Sequence, residues 1–514
     1  MTGSADIHHR GTVLSLATLQ SHGRRAAEHV VDRFDGDGWA RDTCRSRILE
    51  SALLLALLRR TDTAPTVQGG LANFLTHRPL AAGRSVAYME DIIAEGALRR
   101  PDDNARRAEE ASTVIGHEAS PRKFLLVNAV LALLQLMPYR RDIPITYGQY
   151  AVWTNLSLCA IKVLRGDGTP TDRAYLMSEL GRTNGVWEGN LLAQLVALHA
   201  VATFQPESAQ YRTGLTAVIN RQQADGGIPF VSGQEVFITA LAALALHRTG
   251  RFSDLVIAAA DAIAGAQHAD GGWGYTLATS QSDVDDTSRC VEFLHAVTGP
   301  TDARQASTLR AGEDYLLGMI EPDGGFSTYI RGHGTEADMT AGALIALSRR
   351  WNNGPPELQA ATQALVTTQR PNGTFATGWS LSQPSVMLRA VDATGSLSRL
   401  RPPLTTHTTR LVARCAAWLV NARTDNGLWR RDPGTDSDVL ATAQAITALI
   451  RACDSTAIVR ESMTSLVARQ RDDGGFDSLP DQAGPRPFPF HFPLLTTVHA
   501  LDALTSFLHK EDHG

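Results

Sequence analysis

Gln267–Trp273 reads QHADGGW and follows an apolar helical run at Leu255–Ala266. Each residue type has a physical reason to be there. Glycine supplies the positive φ that ends a helix, and Asp or Asn bonds nearby backbone groups. Glutamine at a helix end can bond carbonyls left open there, and the aromatic packs beneath the turn. The phrase recurs as QQADGGIPF at Gln222–Phe230, EPDGGF at Glu321–Phe326 and QRPNGTF at Gln369–Phe375. It returns as ARTDNGLW at Ala422–Trp429 and QRDDGGF at Gln470–Phe476. Its acidic or amide position falls at 225, 270, 323, 372, 425 and 473, a period of 45 to 53 residues.

Self-similarity at such a period marks a repeat architecture. Most phrases also precede a second helical run, such as Val236–Leu246, Asp338–Leu347, Val439–Ile450 or Leu494–Leu504. Six helix–turn–helix units then account for residues from about 208 to 514. Six pairs can close into a ring of inner and outer helices around a deep pocket. Weaker echoes, DGDGW at Asp35–Trp39 and TNGVW at Thr183–Trp187, predict a second helical domain in the first part of the chain. The expected fold is all-α, with a helical domain at 1–205 and an (α/α)6 barrel at 206–514. The first helix is able to join the barrel.

Composition bounds the function. The 514 residues are too many for one small core, so two domains are the prior. Net charge is -5, with no excess of positive charge to suit a phosphate backbone, so nucleic-acid binding is not expected. The start, MTGSADIHHRGT, has no signal-peptide apolar region, and the apolar run Phe124–Met137 is too short to span a bilayer. A cytoplasmic location is expected. The five cysteines are scattered with no CxxC pair and read as free thiols.

After the QHADGGW phrase comes TLATSQSDVDDTSRCVEFLHAV. Asp283, Asp285 and Asp286 fall where an inner helix should begin. Acidic caps are ordinary there, and GTEADMTAG at Gly334–Gly342 and GTDSDVLAT at Gly434–Thr442 are acidic too. Three carboxylates in four residues exceed what capping requires. Crowded like charges in a dry pocket push at least one toward the protonated form, which can serve as a general acid. With Asp286 as the cap, Asp283 and Asp285 would point to the barrel mouth.

DVDDT, preceded by DGGWGY and set in a six-unit Gln…Asp-Gly-Gly-aromatic barrel, resembles the DxDD motif and QW repeats of class II terpene cyclases. The likeness spans roughly 208–514 and is loose before that. The resemblance implies a two-domain (βγ) bacterial enzyme in which Asp285 protonates a terminal alkene, with Asp283 and Asp286 as its partners. A carbocation cascade follows, steadied by aromatic faces. The candidates are Trp273, Tyr275, Phe293, Tyr329, Trp379 and the cluster Phe488, Phe490 and Phe492.

No DDxxD with an NSE-like motif is present, so a diphosphate on the substrate should survive into the product. The implied substrate is geranylgeranyl diphosphate and the implied product a copalyl-type bicyclic diphosphate, for a separate class I synthase to use. The alternative is farnesyl diphosphate and a drimenyl-type product. Remote alternatives are a zinc-dependent prenyltransferase β-like barrel, with Cys290 near Asp286, and a non-enzymatic binding barrel. Family members use Mg²⁺ and an acidic motif on the γ-type domain. The nearest text is MEDIIAE, with Glu90, Asp91 and Glu95, which departs from EDxxD at Ala94. Arg122 and Lys123 of SPRKF, or Arg140 and Arg141 of YRRD, are candidates to meet the phosphates.

Overall fold

The structure, a computed structural model, describes residues 14–78, 84–98, 121–297, 303–350, 354–397, 405–432, 434–452 and 456–513. Cys453 lies outside the described residues; Cys44, Cys159, Cys290 and Cys415 are buried free thiols. The described chain is helical apart from three two-residue antiparallel ribbons.

Six helices form a closed inner ring: Glu235–Arg248, Val284–Val297, Ala337–Leu347, Gln383–Leu397, Val439–Ala452 and Pro493–His513. Each packs on the next, and the last packs on the first. The outer layer holds Ser253–Gly265, Ala303–Gly318, Pro356–Thr368, Thr405–Ala422 and Thr456–Val467. Its sixth member is Leu16–Val31, which packs on Pro493–His513 at the other end of the chain. The inner helices carry near-continuous apolar faces, so they are buried all round.

The six predicted pairs are therefore present, with one exchange. The phrase at Gln222–Phe230 does not serve the barrel: Gln222 Nε2 donates to the Val67 carbonyl, and Gly226 abuts Gly70. The echo at Asp35–Trp39 takes its place. Gly38 abuts Ala258 of an outer barrel helix, and the Ala40 N–H donates to Thr239 Oγ1. The same threonine contact recurs in other units. The N–H groups of Trp273, Phe326, Trp429 and Phe476 donate to Thr287, Thr340, Thr442 and Thr497.

The glutamines do more than cap. Gln267 Nε2 donates at 2.8 Å both to its own Gly271 carbonyl and to the Thr308 carbonyl of the next outer helix. Gln369 bridges Gly373 and Leu411, and Gln470 bridges Gly474 and His22. The repeat is thus a stitch between neighbouring outer helices, each bond contributing about 1 kcal/mol. Gly271 sits at φ 89°, and a Cβ there would meet the Ala311 carbonyl oxygen at 2.5 Å. Gly271→Ala should destabilise the protein by about 2 kcal/mol in thermal or urea melts. Gly265→Ala, at a helix end with open space, should cost nothing.

Buried side chains gather in two clusters. One holds the barrel residues; the other runs from Cys44 to Val231 and takes in Phe488, Phe490 and Phe492. In the second cluster Ile48–Thr61, Arg84–Leu98, Pro121–Leu133, Val152–Leu164 and Leu191–Val201 pack in a ring of five among the described residues. The chain enters this part after the first outer helix and returns to the barrel at Glu235. Glu188 joins the two parts: its carboxylate accepts from Thr279 Oγ1, Ser280 N–H and Ser280 Oγ, at 2.6 to 2.9 Å.

Candidate active site

The acidic helix is placed by its turn. The Asp283 N–H donates to the Trp273 carbonyl at 2.9 Å, and the Val284 N–H to the Thr328 carbonyl at 2.9 Å. Asp283, not Asp286, is the cap: its Oδ1 accepts the Asp286 N–H at 2.8 Å. The expectation fails because the helix begins three residues earlier than a cap at Asp286 implies, at Val284. All three carboxyls line one chamber of about 60 Å³.

Their environments differ. Asp283 and Asp286 are buried and share a side-chain hydrogen bond. Burial raises Asp283 to about 7, and burial followed by the Asp283 charge raises Asp286 well above the carboxylate range. Both causes favour the protonated form of the Asp286 carboxyl. Asp283 Oδ2 and Asp286 Oδ1 have no hydrogen-bond partner. The Asp285 side chain is 24% exposed, facing the chamber, with Arg289 Nε 3.7 Å from its Oδ1.

A second chamber of about 460 Å³ opens beyond the first. Trp153, Asn190, Phe230, Thr328, Tyr329 and Trp379 line both and form the collar between them. The aromatics meet edge to face: Trp153 to Tyr329 at 4.8 Å, Tyr329 to Trp379 at 5.7 Å and Trp153 to Tyr275 at 6.0 Å. Phe490 also lines the inner chamber. Trp273 and Phe293 do not line either chamber. Trp273 is fully buried under its turn, its indole N–H donating to the Ile263 carbonyl, and Phe293 is fully buried core. Phe488 and Phe492 pack in the other cluster.

Several lining residues had no signal in the sequence. Trp153 opens an ordinary-looking apolar helix in the chain's first part, and Arg486 lies in a proline-rich loop. Arg486, Arg122 and Lys123 line the outer chamber. Burial lowers Lys123, and the Arg486 and Arg122 charges lower it further. Arg486 Nη2 is buried without a hydrogen-bond partner. Three cations crowd one wall, with Asp338 and Glu336 as nearby acidic groups and Glu336 already accepting from the Thr328 hydroxyl. Arg140 instead pairs with Asp142 on the surface.

Glu90, Asp91 and Glu95 line neither chamber. Burial raises Glu90 to about 7, and Asp91 accepts from Arg78 Nε at 3.0 Å. Magnesium needs ionised oxygens free to coordinate. One carboxyl held near neutrality and another already paired do not fit that ion. Among the described residues no three His, Cys, Asp or Glu side chains converge as metal ligands.

The drimenyl diphosphate synthase of Streptantibioticus cattleyicolor is 35% identical to this chain, over 93% of it and 92% of the relative. That of Streptomyces showdoensis is 32% identical over 93% of each. The chain belongs to the class II terpene cyclases. No protein-family model matches it. The ent-copalyl diphosphate synthase from Streptomyces platensis shares the fold, with a TM-score of 0.59 and 17% identity, over 95% of this cyclase and 99% of that chain. This class II cyclase is accordingly an enzyme of cyclisation. Among its described residues no helix is long and apolar enough to cross a membrane.

Proposed function

We propose that the enzyme cyclises farnesyl diphosphate to a bicyclic, drimenyl-type diphosphate, with Asp285 as the proton donor and the diphosphate retained. The observation that carries the chain length is the 35% identity to a drimenyl diphosphate synthase over nearly the whole chain. It moves the reading from geranylgeranyl diphosphate to the shorter alternative. The site agrees in its order. Carboxyls stand at one end, an aromatic collar in the middle, and Arg122, Lys123 and Arg486 at the other end.

The chemistry is an isomerisation. The terminal C=C takes the proton of Asp285 and leaves a tertiary cation. The next two C=C bonds attack in turn, each forming one C–C bond and passing the cation along. Loss of one C–H proton forms the final C=C, so atoms balance. Trp153, Tyr275, Tyr329, Trp379 and Phe490 offer ring faces and edges to that charge. The diphosphate lies against the three cations, where Arg offers paired donors. The product is an allylic or homoallylic diphosphate that a separate ionising or phosphate-releasing enzyme could use.

The test is incubation with farnesyl and geranylgeranyl diphosphate, removal of phosphate and mass spectrometry. A bicyclic alcohol isomeric with farnesol is expected, formed faster than any C20 product. Preference for geranylgeranyl diphosphate would overturn the chain length. No cyclic product from either would overturn the function.

A further inference from the structure

Beneath Asp285 the barrel is filled with buried charge. A small cavity there is lined by Arg248, Arg289, Arg389, Arg451, Glu292, Asp392, Asp502 and His499, all from inner helices. Arg389 Nη1 lies 2.7 Å from Glu292, which Arg248 and Arg289 also approach, at 3.7 and 3.9 Å. Arg248 pairs with Asp502 at 2.7 Å, and Arg451 joins Asp392 and Asp502 at 2.7 and 2.8 Å. Burial lowers His499 to about 4, so it is neutral. Four guanidiniums thus face three carboxylates. The cluster is one negative charge short unless Asp285, next to Arg289, is ionised.

Arg289 carries that shortage. It stands one helical turn after Asp285, its Nε is buried, and that Nε has no hydrogen-bond partner. Burial, then the Arg389 charge, lowers its own pKa to about 10. The other charged or titratable groups facing Asp285 are Asp283 and Asp286 on its own helix, Asp338 on Ala337–Leu347, Arg389 on Gln383–Leu397, and Tyr329 in the chamber wall. Only the two arginines favour its anion.

We propose that Arg289 is a positioning residue for the proton donor, a counter-charge held ready for the carboxylate that Asp285 becomes when its proton leaves. The proposal rests on Asp285 as donor. The arginine makes no contact with substrate; it acts through Asp285. An opposite charge placed in advance strengthens the acid without having to reorganise during the reaction. The surrounding pairs hold Arg289 in place, and Glu292 competes with Asp285 for it.

The sign of the effect follows. The donor works only when protonated, so kcat falls as pH rises through its pKa in the substrate complex. Arg289→Gln removes support for the anion. The alkaline limb of the kcat–pH profile should move up by about 1 unit, and the plateau should fall about tenfold because the acid is weaker. Arg289→Lys should restore most of both. Glu292→Gln frees Arg289 for Asp285 and should move the limb down. Opposite shifts in the two variants support the proposal. A folded Arg289→Gln protein (circular dichroism and melting near wild type) with an unmoved limb would overturn it, as would shifts in one direction for both. If Arg289→Gln does not fold, the direction in Glu292→Gln decides. Activity retained in Asp285→Asn would instead overturn the reading of the donor itself.

Discussion

Asp285→Asn should lower kcat for cyclisation by about 10³-fold or more, with the fold and melting temperature close to wild type. An amide has the shape of the carboxyl but no proton acidic enough for an alkene. The substitution is structurally mild because Asp283, not Asp285, caps the helix. The Asp285 side chain takes part in none of the hydrogen bonds that hold the turn and faces the chamber. Asp283→Asn and Asp286→Asn should also slow turnover, since each disturbs the shared proton of the buried pair. Single-turnover rates with farnesyl diphosphate separate the cases. If Asp286→Asn were dead and Asp285→Asn active, Asp286 would be the group that delivers the proton, and the family's middle aspartate would not be the donor here.

Arg486→Ala should raise KM for the prenyl diphosphate about 10- to 100-fold with a smaller change in kcat. A charge-assisted hydrogen bond contributes about 1.5–3 kcal/mol, and each 1.4 kcal/mol is tenfold. The reacting alkene is at the other end of the pocket, so the loss falls mainly on binding. Stability should move the other way. Without substrate, burial and the Arg486 and Arg122 charges lower Lys123, burial lowers Arg486, and one Arg486 donor is unsatisfied. Removing one cation should leave the melting temperature unchanged or higher, the exchange expected where a site is built for its ligand rather than for the fold. A fall in melting temperature with unchanged KM would show that Arg486 is structural.

The barrel was legible in the sequence because its repeat has a local cause. Glycine at positive φ, the Asx turn and the buried aromatic must all lie within a few residues, so the phrase is written contiguously. The carboxyls were legible for the same reason, being three of four consecutive residues. What sequence reading missed is what comes from afar. The sequence leaves the first helix able to join the ring but assigns the turn at Asp35–Trp39 to the other domain, whereas that turn serves the inner helix Glu235–Arg248 about 200 residues later. The phrase at Gln222–Phe230 has the full pattern yet stitches the other part of the chain, because a turn motif specifies a junction and not which neighbour it joins. Trp153 and Arg486 reach the site from separate elements, and nothing local marks them. The aromatic list erred where a packing role competes with a substrate role. Trp273 occupies the repeat's buried slot, while Trp379, just past its slot at Phe375, does line the pocket.

The closure of the ring by its first helix also sets a timetable. On the ribosome Leu16–Val31 emerges long before its packing partner, Pro493–His513, is synthesised. Folding from the amino end cannot finish the barrel, since five outer helices can dock while the seam stays open. Until Pro493–His513 is released, the apolar flank of the last gap faces solvent, and so does the first helix. Contacts this distant in sequence make slow folders prone to association. The enzyme's yield in a heterologous host should therefore depend on how long nascent chains are shielded, more than on the stability of the finished ring.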